Sequence, residues 1–146
     1  MISKSSACFR THWDWFNNVL GEEELVLCYT SALECLDLFY GYLGEKEIDA
    51  YATRRGKYEN INYRILSDFN SIDIVKFDNI SCTSVNQTVY DMLNDFNNID
   101  QQSLVEALSN YYFRHDESFK GLIIEPKNVE RFNSIKNWAV EYHIVR

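Results

Sequence analysis

Glu45, Glu47 and Asp49 stand two residues apart, and Lys57 follows them. Residues at that spacing share one face of a β-strand, so three carboxylates would line up side by side. Carboxylates holding a divalent ion, with a lysine close by, could serve a metal-dependent nuclease. The same alternation arises wherever a half-buried antiparallel strand turns one face to water, and a solvated strand face is the simpler account. Four cysteines (Cys8, Cys28, Cys35, Cys82) and three histidines (His12, His115, His143) are the remaining metal or nucleophile candidates. There is no CxxC pair and the histidines are scattered. Most of the cysteines sit among apolar neighbours, where a free thiol packs as a small hydrophobe. No glycine-rich loop opens a helix and no Gly-x-Ser-x-Gly elbow occurs, which excludes a phosphate cradle and the α/β-hydrolase elbow. We therefore expect no catalytic residue, no metal ion and no cofactor.

Another set of residues is suited to recognition. Arg54, Arg55 and Lys57 are three of only 14 basic residues, yet they fall within four positions, and Tyr58 follows them. An arginine fork pairs with a carboxylate in bidentate fashion, and arginine and tyrosine are enriched among interface hot spots. Arg54-Arg55-Gly56-Lys57 reads as a polar hairpin turn whose glycine supplies a positive φ. Arg54, Arg55, Lys57 and Tyr58 are thus the first candidates for a partner-binding tip. Tyr111-Tyr112-Phe113 is a second candidate surface, because three consecutive aromatic residues cannot all face one core. Trp15 lies off the main apolar stripe of its segment and joins them. The other aromatic residues fall at helical spacing on apolar faces, which favours core packing over base stacking.

Positioning these side chains falls to elements that the hydropathy pattern marks out. Phe9, Trp13, Phe16 and Leu20 form one stripe at helical period, predicting a helix from about Cys8 to Leu20 that Gly21 ends. A second helix is predicted over about Tyr29 to Leu43, with Thr30 or Ser31 as its N-cap and Gly44 as its stop. Period-two alternation predicts strands at Ile48 to Ala52 and Ile61 to Ile65. A third is predicted at Ile72 to Phe77 and a short fourth at Ile80 to Cys82, all antiparallel neighbours. Ser84-Val85-Asn86-Gln87 is a capping box, in which the serine hydroxyl holds an orphan N–H and the glutamine reaches back to the cap. It opens a helix with Val85, Val89, Met92, Leu93 and Phe96 on its core face. A further helix at about Gln101 to Phe113 is capped by Asp100, and a last one after Pro126 carries Val129, Phe132, Ile135, Ala139 and Tyr142. This order predicts a single α+β domain over residues 1–146, with helices packed on a small antiparallel sheet.

Composition bounds the function. A chain of 146 residues that is 46% hydrophobic and 15% aromatic can bury enough apolar surface to offset its conformational entropy. Its 14 basic and 22 acidic residues give a net charge of −8. That field repels phosphate backbones and supplies no counterion release, so direct DNA binding is not expected. Lys4, Arg10 and Asp14 break the first twenty residues, and no stretch reaches the roughly 18 apolar residues of a membrane span. The expected setting is cytoplasmic, with reduced cysteines.

At Ile80 to Leu93, ISCTSVNQTVYDML, the residue order resembles the C-terminal domain of the AbiE abortive-infection antitoxins. In that family a strand ends in a Thr-Ser cap, and an Arg-Thr-apolar-x-Asp helix begins; Thr83, Ser84, Thr88 and Asp91 match, while Gln87 stands where the family has its arginine. Tyr29 to Gly41, YTSALECLDLFYG, resembles the family's Ser-Ala-Leu helix, followed in both by a sheet. The likeness covers about Tyr29 to Tyr112, and the family's winged-helix DNA-binding domain has no counterpart in Met1 to Glu24. It implies an antitoxin-like domain of a mobile-element defence system whose partner is a nucleotidyltransferase-like toxin. In that setting Thr83, Ser84, Thr88 and Asp91 would cap and brace one helix. The alternative within the binding class is a phage or mobile-element inhibitor of a host defence protein, an acidic competitor for a basic groove.

Overall fold

The computed structural model describes residues 7–8, 23–40, 45–77 and 80–145. The helix expected from about Cys8 to Leu20, and Trp15 with it, lies outside them apart from Cys8, which is in a strand. Strands β1 (Ala7–Cys8) and β2 (Val26–Leu27) precede helix α1 (Tyr29–Cys35). Strands β3 (Glu45–Lys46), β4 (Ile48–Ala52), β5 (Ile61–Ile65), β6 (Ile74–Phe77) and β7 (Ile80–Thr83) follow. Helices α2 (Val85–Asn94), α3 (Gln101–Arg114) and α4 (Val129–Val145) complete an α+β domain.

Among the described residues, the main sheet has the order β5-β4-β2-β7-β6, and β1 pairs with β3 beside it. The sheet is mixed, which corrects the antiparallel arrangement expected from the short connections. β2 pairs with β4 and β6 with β7 in antiparallel fashion, but β2 with β7 and β4 with β5 are parallel. Parallel neighbours usually need a crossover of about a dozen residues or more. Here residues 53–60 suffice, and Ile61 returns opposite Ile48.

The central strand β2 belongs to the run Leu25-Val26-Leu27-Cys28, every residue of which is buried. Val26, Cys28 and Tyr51 face one core with Leu33 of α1, Met92 and Leu93 of α2, Leu104, Val105 and Leu108 of α3, and Phe132, Ile135 and Ala139 of α4. Leu27, Ile48, Ala50, Ala52, Ile61, Ile80 and Cys82 face a second core, to which α1 adds Ala32 and Cys35. A sheet covered on both faces asks for continuous apolar strands in its middle. Truncating a wholly buried side chain such as Leu104 or Met92 to alanine should cost about 2–5 kcal/mol.

Helix α1 stops well short of the expected Leu43. Asp37 adopts φ 61, the Leu38 N–H bonds to the Leu33 carbonyl at 2.9 Å, and the Asp37 N–H bonds to Glu34 at 3.1 Å. That pair of bonds is a Schellman close, with aspartate in the left-handed position that glycine usually takes. At the other end, Cys28 is the N-cap and makes no side-chain cap bond, in place of the expected Thr30 or Ser31. Ser31 Oγ instead accepts from the Asp49 N–H at 2.9 Å, tying α1 to β4. Helix α3 starts as expected, with the Asp100 carboxylate accepting from the Ser103 N–H at 3.2 Å. On α4, Val129 is 42% exposed and not in the core. No described helix is long and apolar enough to cross a membrane.

Candidate functional site

The segment that carries Arg54, Arg55 and Lys57 is the β4–β5 crossover and not a hairpin tip, because its two strands run in the same direction. Glu23 clamps it. One carboxylate oxygen of Glu23 accepts from the Tyr63 hydroxyl at 2.6 Å, and the other accepts from the Lys57 N–H at 3.0 Å. The Tyr63 oxygen in turn accepts from the Tyr58 N–H at 3.2 Å. Burial, then the bond to Glu23, pushes the Tyr63 phenol up to about 12, so it stays a neutral donor. Gly56 lies against this clamp, and a Cβ there would collide with the Glu23 carboxylate and the Tyr63 hydroxyl. Its glycine is required by close approach; among the described glycines only Gly121 has a positive φ, so the expected left-handed turn is absent.

The crossover sorts its own side chains. Arg54, Arg55 and Lys57 are exposed, whereas Tyr58 is buried in the second core with Ile48 and Ile61. Tyr58 is therefore unavailable for the partner contact expected of it. The Lys57 ammonium lies 5.4 Å from the Tyr58 ring centroid, and the Arg55 guanidinium 5.8 Å from that of Tyr63, so the rings below help to set the cations above. Arg54 borders a hollow of about 280 Å³ lined by Glu23, Glu24, Leu25, Thr53 and Gly56.

Thr83, Ser84, Thr88 and Asp91 form an internal network around the start of α2. Ser84 Oγ accepts from the Gln87 N–H at 3.1 Å, which satisfies one orphan donor. The Thr88 hydroxyl donates to the Ser84 carbonyl at 2.7 Å, which leaves Thr83 to donate to Thr88 across 2.7 Å. The reciprocal half of the capping box is not made. Gln87 instead accepts from the Asp73 N–H at 3.0 Å and donates to Asp91 Oδ1 at 2.9 Å, while the Ser84 N–H bonds to the Asp73 carbonyl. Asp91 Oδ2 accepts from the Tyr51 hydroxyl of β4 at 2.9 Å. The four side chains thus join strand to helix.

Sequence reasoning missed what lies over the polar face of β4. Asp49 is half-buried and not fully open to water. Arg64 of β5 lies 3.8 Å from Asp49 Oδ1 and 3.6 Å from Asp95 Oδ2, with its guanidinium 3.8 Å from the centroid of the Tyr29 ring. The Tyr29 hydroxyl reaches Asp95 at 3.4 Å, and Tyr29 itself sits at φ 52. Burial raises the carboxyls of Asp49 and Asp91 above their ordinary range, and the Arg64 charge opposes that rise in both. Arg64 Nε is buried without a hydrogen-bond partner, so stacking on Tyr29 and charge hold the guanidinium in place. Glu47, by contrast, is exposed and shares Asn62 with Asp49, at 3.0 and 3.3 Å. Among the described residues, no three Cys, His, Asp or Glu side chains gather as metal ligands. The parity of β5 could have flagged Arg64, since the observed register places it opposite Tyr51.

The aromatic trio divides along α3. Tyr111 is buried in the first core, stacks on His115 at 3.8 Å and 12°, and donates to the Lys120 carbonyl at 2.5 Å. Tyr112 and Phe113 are half-buried; Tyr112 packs on Phe113 at 5.0 Å and on Phe119 at 4.8 Å. Tyr111 and Tyr58 belong to different cores, so the two candidate surfaces do not merge. No protein-family model matches the chain, and no curated protein matches it.

Proposed function

We propose that the protein is a cytosolic protein-binding module that neutralises a partner protein, and that the β4–β5 crossover is its docking element. One observation carries this reading: Arg54 and Arg55 are exposed on a backbone already fixed by the Glu23–Tyr63 clamp, on a chain of net charge −8. A segment held in shape before binding loses little further entropy when it docks, and arginine forks suit a partner site lined with carboxylates. The same net charge disfavours duplex DNA as the partner. The resemblance to AbiE antitoxins supports a neutralising role and makes a nucleotidyltransferase-like toxin the first partner to try. Thr83, Ser84, Thr88 and Asp91 are engaged inside the fold, so they brace the module and do not dock.

The test is a binding titration of the Arg54→Glu/Arg55→Glu variant against a nucleotidyltransferase-like protein encoded beside this one, or against a partner captured by the wild-type chain. The double reversal should weaken the complex by more than about 2 kcal/mol, roughly thirtyfold, with the thermal midpoint unchanged. Equal affinity for the two proteins would remove the crossover from the interface.

A further inference from the structure

A cleft of about 800 Å³ opens between the end of α2 and the start of α4. Asn94 of α2 lines one side, and Lys127, Asn128, Glu130, Arg131 and Ser134, from the turn that leads into α4 and from its first turns, line the other. Asn128 is only 2% exposed and donates from Nδ2 to Asn94 Oδ1 at 2.9 Å, which ties the two walls together. Both cations are held in place. Arg131 Nη1 donates to the Leu93 carbonyl at 2.7 Å, and Lys127 Nζ lies 5.0 Å from the centroid of the Tyr90 ring and 3.3 Å from its hydroxyl. Each keeps further donors, because guanidinium and ammonium groups carry several. The second wall continues along α4. Trp138 follows Ser134 by four residues and Arg131 by seven, so it shares their face of the helix, and a helical side chain leans over the turn before it. A tryptophan ordinarily buries most of its ring, yet Trp138 is 46% exposed.

We propose that this cleft binds a nucleoside monophosphate, with Lys127 and Arg131 on the phosphate, Glu130 on the ribose hydroxyls and Trp138 against the base. Two cations one helical turn apart suit a phosphate group, and the arginine fork can hold two of its oxygens. The Glu130 carboxylate would oppose a bare anion in the same cleft, but it accepts hydrogen bonds from hydroxyl groups, which a ribose supplies. An exposed indole face stacks on any base. Small-molecule sites are mostly apolar, so a cleft with this many charged and amide groups fits a phosphorylated sugar better than a greasy ligand. A single phosphate meets the two cations alone, whereas an extended phosphate backbone would meet the whole net charge of −8. The cleft lies on α2 and α4, and the β4–β5 crossover is anchored in the second core through Tyr58, so neither site depends on the other.

The full chain should be titrated by calorimetry at low salt with the 5′-monophosphates of adenosine, guanosine, cytidine and uridine, with the matching nucleosides and with inorganic phosphate. At least one nucleotide should bind with a Kd of about 1 mM or tighter. Its nucleoside and inorganic phosphate should each bind at least about tenfold more weakly, because each lacks one half of the contacts. Lys127→Gln and Trp138→Ala change exposed side chains, so both should keep the wild-type thermal midpoint and bind that nucleotide at least about tenfold more weakly. Added salt should weaken the wild-type complex more than that of Lys127→Gln. Should either variant fail to fold, the wild-type comparison of nucleotide with nucleoside and phosphate decides. No saturable binding of any of the four nucleotides, inorganic phosphate binding as tightly as the best of them, or wild-type affinity in either folded variant would each overturn the proposal.

Discussion

Asp91 and Tyr51 should act as one unit, and the size of that coupling can be worked out from their surroundings. Asp91 accepts from Tyr51 at 2.9 Å and from Gln87 at 2.9 Å, and Asp91 and Tyr51 are only 7% and 8% exposed. Asp91→Ala strips both donors of their acceptor. Gln87 is half-buried and can turn to water, but the Tyr51 hydroxyl cannot. The loss is therefore one buried, unpaired donor, about 1–3 kcal/mol, less whatever is recovered by no longer burying a carboxylate. We expect a net cost of about 2 kcal/mol at neutral pH. Tyr51→Phe alone removes a hydrogen bond to an ionised acceptor and should cost about 1.5–3 kcal/mol. In the Asp91→Ala background the same change deletes a hydroxyl that already has no partner, so it should cost nothing or stabilise. The double-mutant cycle then returns a coupling energy of about 2 kcal/mol, read from urea titrations of the four proteins with matching m-values. A coupling within about 0.5 kcal/mol of zero would refute the account of α2 as braced onto β4 through Asp91.

Three further outcomes follow from the same geometry. Burial raises the Asp91 carboxyl above 3.8, so the folded chain binds that proton more tightly than the unfolded chain, and this contribution to stability declines as pH rises from 3.8 through the raised value. The stability of Asp91→Asn relative to wild type should accordingly improve over that rise; a pH-independent difference in urea midpoints would show that the buried carboxyl titrates normally. Gly56→Ala should displace both the Glu23 carboxylate and the Tyr63 hydroxyl from the clamp, at about 1–3 kcal/mol, and Glu23→Ala should cost less in that background than alone. Ser84→Ala should lower stability by about 1 kcal/mol through the lost cap, and an unchanged thermal midpoint would mean that Thr83 and Thr88 suffice to start α2.

What the sequence made legible is what local chemistry decides. The start of α2 follows from Ser84 and that of α3 from Asp100, because a cap acts within three residues of itself. The limits of β4 and β5 follow from alternation, which is a property of one strand. Pairing direction is not: Ile48–Ala52 and Ile61–Ile65 alternate identically whether they run parallel or antiparallel. β2 was illegible for a related reason, since a strand covered on both faces has no alternation to read. Period two put Asp49 on a solvated strand face, because alternation within one strand carries neither the register that brings Arg64 opposite Tyr51 nor the helices that cover that face. The end of α1 was misplaced because Asp37 took the position in which the reading looked for glycine.

The parallel pairing of β4 and β5 bears directly on the proposed docking element. A hairpin tip reverses the chain in place and can sway about the strand ends. A parallel crossover must travel back along the whole of β4, from Thr53 to Asn60, where the Asn60 carbonyl accepts from the Ile48 N–H at 2.7 Å. At about 3.3 Å per strand residue, that is roughly 16 Å of sheet. A fully extended chain of eight residues would reach about 26–29 Å, so the crossover has length to spare and is held in shape by its anchors and not by tension. Tyr58 is held in the core partway along, and Glu23 fastens Lys57 just before it. Arg54 and Arg55 therefore project from a segment anchored just beyond them by Glu23 and Tyr58. A loop of the same composition on a hairpin would have to be ordered by its partner, at a cost of about 0.5–1.5 kcal/mol for each long side chain immobilised.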